Sequence, residues 1–252
     1  MNDAASGLSR HEPSRSILPW SKETARTTLT QWRQSGLLCT AVPYPAGTRI
    51  FKQGAESQDV FLLERGVVAF ESEPVGAARD RSGIFALCLP GHLFGPSADA
   101  VAHSFTHSAI ALTACSVYRI KREKMLQALQ EGGELALFII RQYLQNLLCA
   151  RARASESTIR CAKIRFQQLL QELSAALEDR SPTGAIRLPL KDKELAGLLG
   201  ISPQQFSVIK KKMELERVIT YSGGKNRLAL RSATGTVKFF KAYRTNRIPS
   251  AA

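Results

Sequence analysis

At Lys121 the apolar pattern of this 252-residue chain changes period, which divides it into two architectures. Before that point short apolar runs recur at close intervals: Arg49–Lys52, Val60–Glu64, Val67–Glu71, Gly83–Leu89 and Ser108–Ile120. Turn residues punctuate them at Pro45-Ala-Gly47, Gly54, Gly66, Pro74-Val-Gly76, Pro90-Gly91 and Gly95-Pro96. Short strands joined by glycine turns, with no long helix between them, predict an antiparallel β-roll or barrel rather than a parallel α/β sheet. A short helix over Lys22–Gly36, ended by Gly36, is expected ahead of the roll, behind a flexible N-terminus.

After Lys121 the spacing is helical. Between about Glu134 and Ser155, Leu137, Ile140, Leu144 and Leu147 recur three and four residues apart, and Ala154 follows Leu147 at a heptad step. That stripe either faces its own domain or pairs with a second chain, in which case Arg151 marks its solvated end. A second helix, Thr158–Glu178, carries Ile159, Ala162, Ile164 or Phe166, Leu169, Leu170, Leu173 and Leu177, and stops at the turn-rich Asp179–Gly184. Residues 191–199 and 203–216 read as two compact helices, and Val218–Tyr221 with Arg227–Arg231 as a hairpin around residues 222–226. The expected organisation is a flexible segment with a short helix (1–36), a β-roll (37–132), a long dimerisation helix (133–155), a winged helix (156–235) and a basic tail (236–252). In class terms this is an α+β chain: N-terminal antiparallel β-roll, long helix, C-terminal winged helix-turn-helix.

Charge separates the two parts as sharply as period does. Residues 1–140 hold 14 Lys/Arg against 13 Asp/Glu, net +1, whereas residues 141–252 hold 21 against 8, net +13. Such asymmetry supplies the cations that displace counterions from a polyphosphate backbone, so double-stranded nucleic acid is the expected partner. No amphipathic basic helix with exposed Trp or Phe accompanies the charge, which argues against a membrane surface. The N-terminus lacks the apolar core of a secretory signal and no run reaches transmembrane length, so a cytoplasmic location is expected.

The turn at residues 199–202 carries the functional expectation. A helix burying Leu195, Ala196 and Leu199 is broken by Gly200, which tolerates the positive φ of a sharp helix–helix turn. Ser202 suits an N-cap and Pro203 the first turn of the next helix. Phe206 and Ile209 would bury that helix, leaving Gln204, Gln205, Ser207, Lys210 and Lys211 on its outer face. Gln bonds an adenine edge bidentately, Ser meets bases or phosphates, Lys is drawn to phosphate, and the hairpin adds Lys225 and Arg227. The candidate DNA-contacting set is therefore Ser202, Pro203, Gln204, Gln205, Ser207, Lys210, Lys211, Lys225 and Arg227.

On these residues, and on Tyr44-Pro-Ala-Gly47, Gly54, Val60–Val68 and Gly91-His-Leu-Phe-Gly95, the chain resembles the CRP/FNR family of bacterial regulators over roughly residues 40–231. The resemblance implies a cyclic-nucleotide-binding-type roll, a homodimer, RNA polymerase as a partner, and a pseudo-palindromic site with half-sites about one helical turn apart. Two departures matter. Nucleotide-binding members carry a Gly-Glu pair and, later, an arginine that clamps the cyclic phosphate; here Pro96 and His107 stand in those places. A neutral imidazole does not reproduce a guanidinium fork, so the usual cyclic-nucleotide mode is not expected. The effector set implied by position is Phe94, Gly95, Pro96, Ser97, His107 and Ser108, with Ala98, Val101 and Phe105 favouring an organic small molecule or no effector. On the recognition helix Pro203, Gln204 and Val208 replace the family's usual reading residues, so the operator is not inherited.

Other chemistries fit less well. The five cysteines, Cys39, Cys88, Cys115, Cys149 and Cys161, are scattered without a CxxC pair, which opposes a disulfide framework, a structural zinc and an iron–sulfur cluster. A haem would need a His or Cys axial ligand, for which His103 and His107 on one loop are candidates, and Cys88 with Cys115 could form a thiol pair inside the roll. No hydrolase, zincin, dinucleotide or P-loop signature is present, so no enzyme is expected. The remaining rival is a ligand-binding roll whose basic C-terminal part docks a protein or a membrane.

Overall fold

The computed structural model describes residues 22–56, 58–72, 83–95, 104–159, 161–177, 185–187, 189–221 and 227–230. A helix α1 (Lys22–Gln34) precedes eight strands: β1 (Val42–Tyr44), β2 (Arg49–Phe51), β3 (Asp59–Arg65), β4 (Val68–Glu71), β5 (Ile84–Cys88), β6 (Leu93–Phe94), β7 (Ser108–Ala111) and β8 (Cys115–Lys121). They pair antiparallel in two four-stranded sheets, ordered β1-β8-β3-β6 and β2-β7-β4-β5. Two helices follow, α2 (Arg122–Glu131) and the 27-residue α3 (Gly133–Ile159). The C-terminal part is α4 (Ala162–Ala176), β9 (Ala185–Arg187), α5 (Asp192–Leu198), α6 (Pro203–Leu215), β10 (Ile219–Tyr221) and β11 (Arg227–Leu230), with a sheet ordered β10-β11-β9. This is the expected α+β architecture of roll, long helix and winged helix-turn-helix.

Several elements differ from the sequence reading for local reasons. The run Ser108–Ile120 is two strands, because Leu112–Ala114 carry the chain from one sheet to the other. There the Leu112 amide donates to the Val67 carbonyl at 2.9 Å, and the Val67 amide to Thr113 Oγ1 at 2.9 Å. Strand β1 is hidden in the sequence by Pro43, which an edge strand tolerates because one side of its ladder is unpaired. Strand β6 is a two-residue strand between turn glycines. Helix α2 gives itself away only through Met125 and Ala128, which it buries. Helix α3 runs on through Thr158 and Ile159, which periodicity alone places in the next helix, and α4 starts at Ala162.

Three apolar clusters hold the molecule together. Phe51, Phe61, Leu63, Val68, Cys88, Phe94, Phe105, Val117 and their neighbours fill the roll interior. A second cluster fastens α1, α2 and α3 to the roll through Leu29, Trp32, Val60, Leu62, Ile120, Met125 and Ile139. The third joins the outer side of β4 and β5 to the winged helix: Ala69, Ile84, Leu87 and Leu89 meet Phe166, Leu170, Leu173, Leu195, Leu199, Phe206 and Met213. Strand β3 is further pinned to β8 by Asp59, which is buried and receives Arg119 Nε at 2.9 Å, with Lys121 Nζ at 3.1 Å from its other oxygen.

Glycine is required at Gly66, where φ is +96° and a Cβ would sit 2.6 Å from both the Ala114 carbonyl oxygen and Cys115 Sγ. Helix α1 is an integral part of the fold. Its Trp32 is fully buried, edge-on to Phe138 of α3 at 4.9 Å between centroids, and Arg33 pairs with Glu64 at 2.6 Å. Trp32→Ala is therefore expected to destabilise the chain by about 3–5 kcal/mol, read from the midpoint of denaturant unfolding.

Candidate functional site

The turn between α5 and α6 is built from backbone hydrogen bonds. Gly200 takes φ +64°, its amide donates to the Gly197 carbonyl at 3.0 Å, and the Ile201 amide to the Ala196 carbonyl at 3.0 Å. That paired pattern closes α5 and turns the chain sharply. Helix α6 opens with a reciprocal cap: the Gln205 amide donates to Ser202 Oγ at 3.2 Å, and the Ser202 amide to Gln205 Oε1 at 3.1 Å. Pro203 occupies the first turn, where a missing N–H costs nothing. Phe206 and Met213 are fully buried, and Phe206 packs edge-on to Phe166 of α4 at 4.9 Å. One face of α6 is thus fixed inward and the opposite face is exposed.

The side chains expected to meet DNA fall into two groups. Gln204 and Lys211 are exposed with no fixed partner among the described residues. The others are engaged within the chain: Ser202 and Gln205 cap one another, Ser207 Oγ donates to the Pro203 carbonyl at 3.0 Å, and Lys210 Nζ lies 2.6 Å from Asp192 Oδ2 at the start of α5. Lys163 of α4 pairs with Glu216 just past the end of α6, fastening the helix at its far end. Lys225 lies outside the described residues, and Arg227 opens β11. Four further exposed side chains on α6, Val208, Lys212, Glu214 and Leu215, are not among the expected contacts. Lys212 was legible as one of three consecutive lysines.

In the roll, Phe94 is buried and Gly95 takes φ +103°, with a built Cβ 3.0 Å from Phe61 Cδ2. Pro96 and Ser97, like Ala98, Val101 and His103, lie outside the described residues. Ser108 is buried in a structural role, its Oγ accepting the Gln53 amide at 2.9 Å. His107 is half-buried among rings: Phe70, Phe85 and Phe51 lie 4.7, 5.6 and 5.8 Å from its centroid. Its Nδ1 is 3.1 Å from Thr106 Oγ1, and its buried Nε2 has no hydrogen-bond partner among the described residues. Burial pushes the imidazole pKa below its ordinary value, which favours the neutral ring. At the position that the resemblance assigns to a phosphate clamp, the structure places a half-buried imidazole among aromatic rings, with its neutral form favoured by burial.

Cys88 and Cys115 both belong to the roll interior as free thiols, each within hydrogen-bonding reach of backbone carbonyls: Leu89 for Cys88, and Val67 and Thr113 for Cys115. Burial raises the Cys115 pKa, which opposes thiolate chemistry. Among the described residues no cluster of His, Cys, Asp and Glu is arranged to hold a metal, and no helix is long and apolar enough to cross a membrane.

Residues 41–132 match the cyclic nucleotide-binding domain family. The overall arrangement matches FixK2 of Bradyrhizobium japonicum at 20% identity, covering 79% of this chain and 96% of that one with a TM-score of 0.64. The c-di-GMP-responsive global regulator CLP of Xanthomonas campestris matches at 20% identity over 82% and 100%, TM-score 0.62. A CRP/FNR-family transcriptional regulator of Thermus thermophilus matches at 20% identity over 80% and 98%, TM-score 0.64. The chain has the CRP/FNR regulator fold. No curated protein matches it by sequence. In this CRP/FNR fold the roll bears a His107 setting unlike a charged clamp, and α6 bears a free outer face.

Because burial disfavours the protonated His107, the unfolded chain takes up a proton there more readily than the folded one. Stability must then fall as pH drops through the unfolded histidine value of about 6.5. The fall in melting temperature between about pH 7.5 and 5.5 is expected to be shallower in His107→Phe than in the unaltered chain, measured by differential scanning calorimetry. Equal slopes would remove the desolvated imidazole.

Proposed function

We propose that this chain is a transcription regulator that binds double-stranded DNA as a homodimer, placing α6 in the major groove of each half of a pseudo-palindromic site. The observation that carries this reading is the outward face of α6. It is held rigidly by the Ser202–Gln205 cap and the Phe206 and Met213 anchors, and it carries Gln204, Lys211 and Lys212 in the half of the chain with net +13. Gln204 reads a base edge. Lys211, with Lys225 and Arg227 from the hairpin, meets phosphates, and Lys210 does so by exchanging its Asp192 partner for the backbone. Ser202, Pro203 and Gln205 present the positive N-terminal end of α6, while Ser207 keeps acceptor capacity towards the groove.

Dimerisation rests on α3. Leu137, Ile140, Leu144 and Leu147 are 47%, 45%, 52% and 54% exposed in the single chain, while Ala136 and Ile139 are buried against the rest of the fold. Their alternating spacing is that of a heptad seam, and Arg151, at the next position, is exposed. A second copy related by a two-fold axis covers the stripe with its own. The expected sensor is the roll. Its aromatic, uncharged surroundings at His107 suit an organic effector or none, and a cyclic nucleotide held by an arginine clamp does not fit them. The resemblance adds RNA polymerase as a partner, and the reading places the protein in the cytoplasm beside the chromosome.

Two measurements test this. Electrophoretic mobility shift on a random-sequence duplex pool should show binding that weakens about ten-thousandfold between roughly 50 and 200 mM salt, since four cations on each chain neutralise about eight phosphates per dimer. Failure to bind any duplex would favour a roll whose basic part docks a protein. Leu144→Glu should yield a monomer in analytical ultracentrifugation and lose duplex binding with it, because a buried unpaired carboxylate opposes the seam.

A further inference from the structure

The outer face of α6 carries an apolar side chain where a solvated helix has no use for one. At roughly 100° per residue, Gln204, Val208, Lys211 and Leu215 fall on one narrow stripe, opposite the buried Phe206 and Met213. Val208 sits one turn after Gln204 in the middle of that stripe and is 69% exposed. Valine is a poor helix former because β-branching costs rotamer freedom against the preceding turn, so local propensity does not explain its presence there. Packing does not explain it either, since Phe206 and Met213 already supply the anchors. Leu215, the other exposed apolar residue, lies two turns further on, where a helix entered by its N-terminus leaves the groove.

We infer that Val208 is a specificity-determining residue that reads the C5-methyl group of a thymine, next to an adenine read by Gln204. This rests on the DNA-binding reading and narrows it to a base pattern. In the major groove only thymine presents a methyl group, and an aliphatic side chain meets it by excluding water from both. Gln204 is the one exposed glutamine of α6 whose amide is not engaged in the cap, so it is available for the bidentate N6/N7 edge of adenine. Four residues of helix rise span about 6 Å, close to two base steps of about 3.4 Å. The two A·T pairs therefore lie within about two steps of each other in each half-site. Lys211 on the stripe and Lys210 and Lys212 on either side of it suit a polyanion, which favours DNA over an apolar protein surface as what Val208 meets.

The test begins with selection of bound sites from random duplex by the full-length protein. Each half-site should return an adenine and a thymine at that separation. Replacing the selected thymines by deoxyuridine removes only the methyl groups and keeps the pairing. It should weaken binding about fourfold per half-site and about fifteenfold when both half-sites are changed. Val208→Ala, at an exposed position that leaves the fold intact, should reduce that thymine-to-uracil ratio, and Val208→Ile should keep it. Equal binding of thymine and uracil duplexes by the unaltered protein, an unchanged ratio in Val208→Ala, or selected half-sites lacking the A and T pairs would each overturn the inference while leaving DNA binding in place. Absence of any duplex binding would overturn the parent reading and this inference together.

Discussion

Strands β4 and β5 are four and five residues long, yet two cores meet on them. Val68 and Cys88 are paired across the ladder and face the roll interior, while their neighbours Ala69 and Leu87 face α4, α5 and α6. A β-strand sends successive side chains to opposite faces, so any change on one side is one residue away from the other. Phe70, in contact with His107, immediately follows Ala69, in the cluster that seats the recognition helix. Close packing leaves such a two-sided sheet little freedom to adjust one face alone. The roll interior and the helix-turn-helix part are therefore mechanically adjacent, independently of the long helix.

The second constraint is the division of labour along α6. A short polar side chain at the beginning of a recognition helix can close the helix or read a base, and in this chain Ser202 and Gln205 close it. Closing the helix rigidly holds Gln204 and Val208 in a fixed relation to Phe206, so on the proposed reading the surface offered to DNA is preorganised. The Lys210–Asp192 pair is different in kind: it is an exposed contact of small net worth, readily exchanged for a phosphate.

Much of this was legible in the residues because periodicity and turn chemistry are local. Gly200 and Ser202 announce the turn and its cap, and both behave as their chemistry requires. The spacing of Leu137 to Leu147 announces an apolar stripe without saying what covers it, and only the structure shows that it is uncovered in the single chain. What stays hidden depends on partners distant in sequence or on geometry. The Gln205 side chain is assigned to the cap only by its position in space, since an exposed glutamine there reads equally well as a base contact. In the sequence Val208 is a departure from a family pattern, and its exposed position opposite Met213 is what the inferred role rests on. The commitment of Lys210 to Asp192, eighteen residues away, has no sequence signature.

The uncovered stripe on α3 also bears on how such a protein would respond to its own abundance. On the proposed reading, a half-site bound by one chain uses half the phosphate contacts and half the base contacts, so the species that occupies a two-fold site is the pair. Where chains are scarce relative to the strength of the seam, the amount of pair rises with the square of chain concentration. Doubling expression then quadruples occupancy, and the leucines of α3 set the threshold at which that steep dependence flattens.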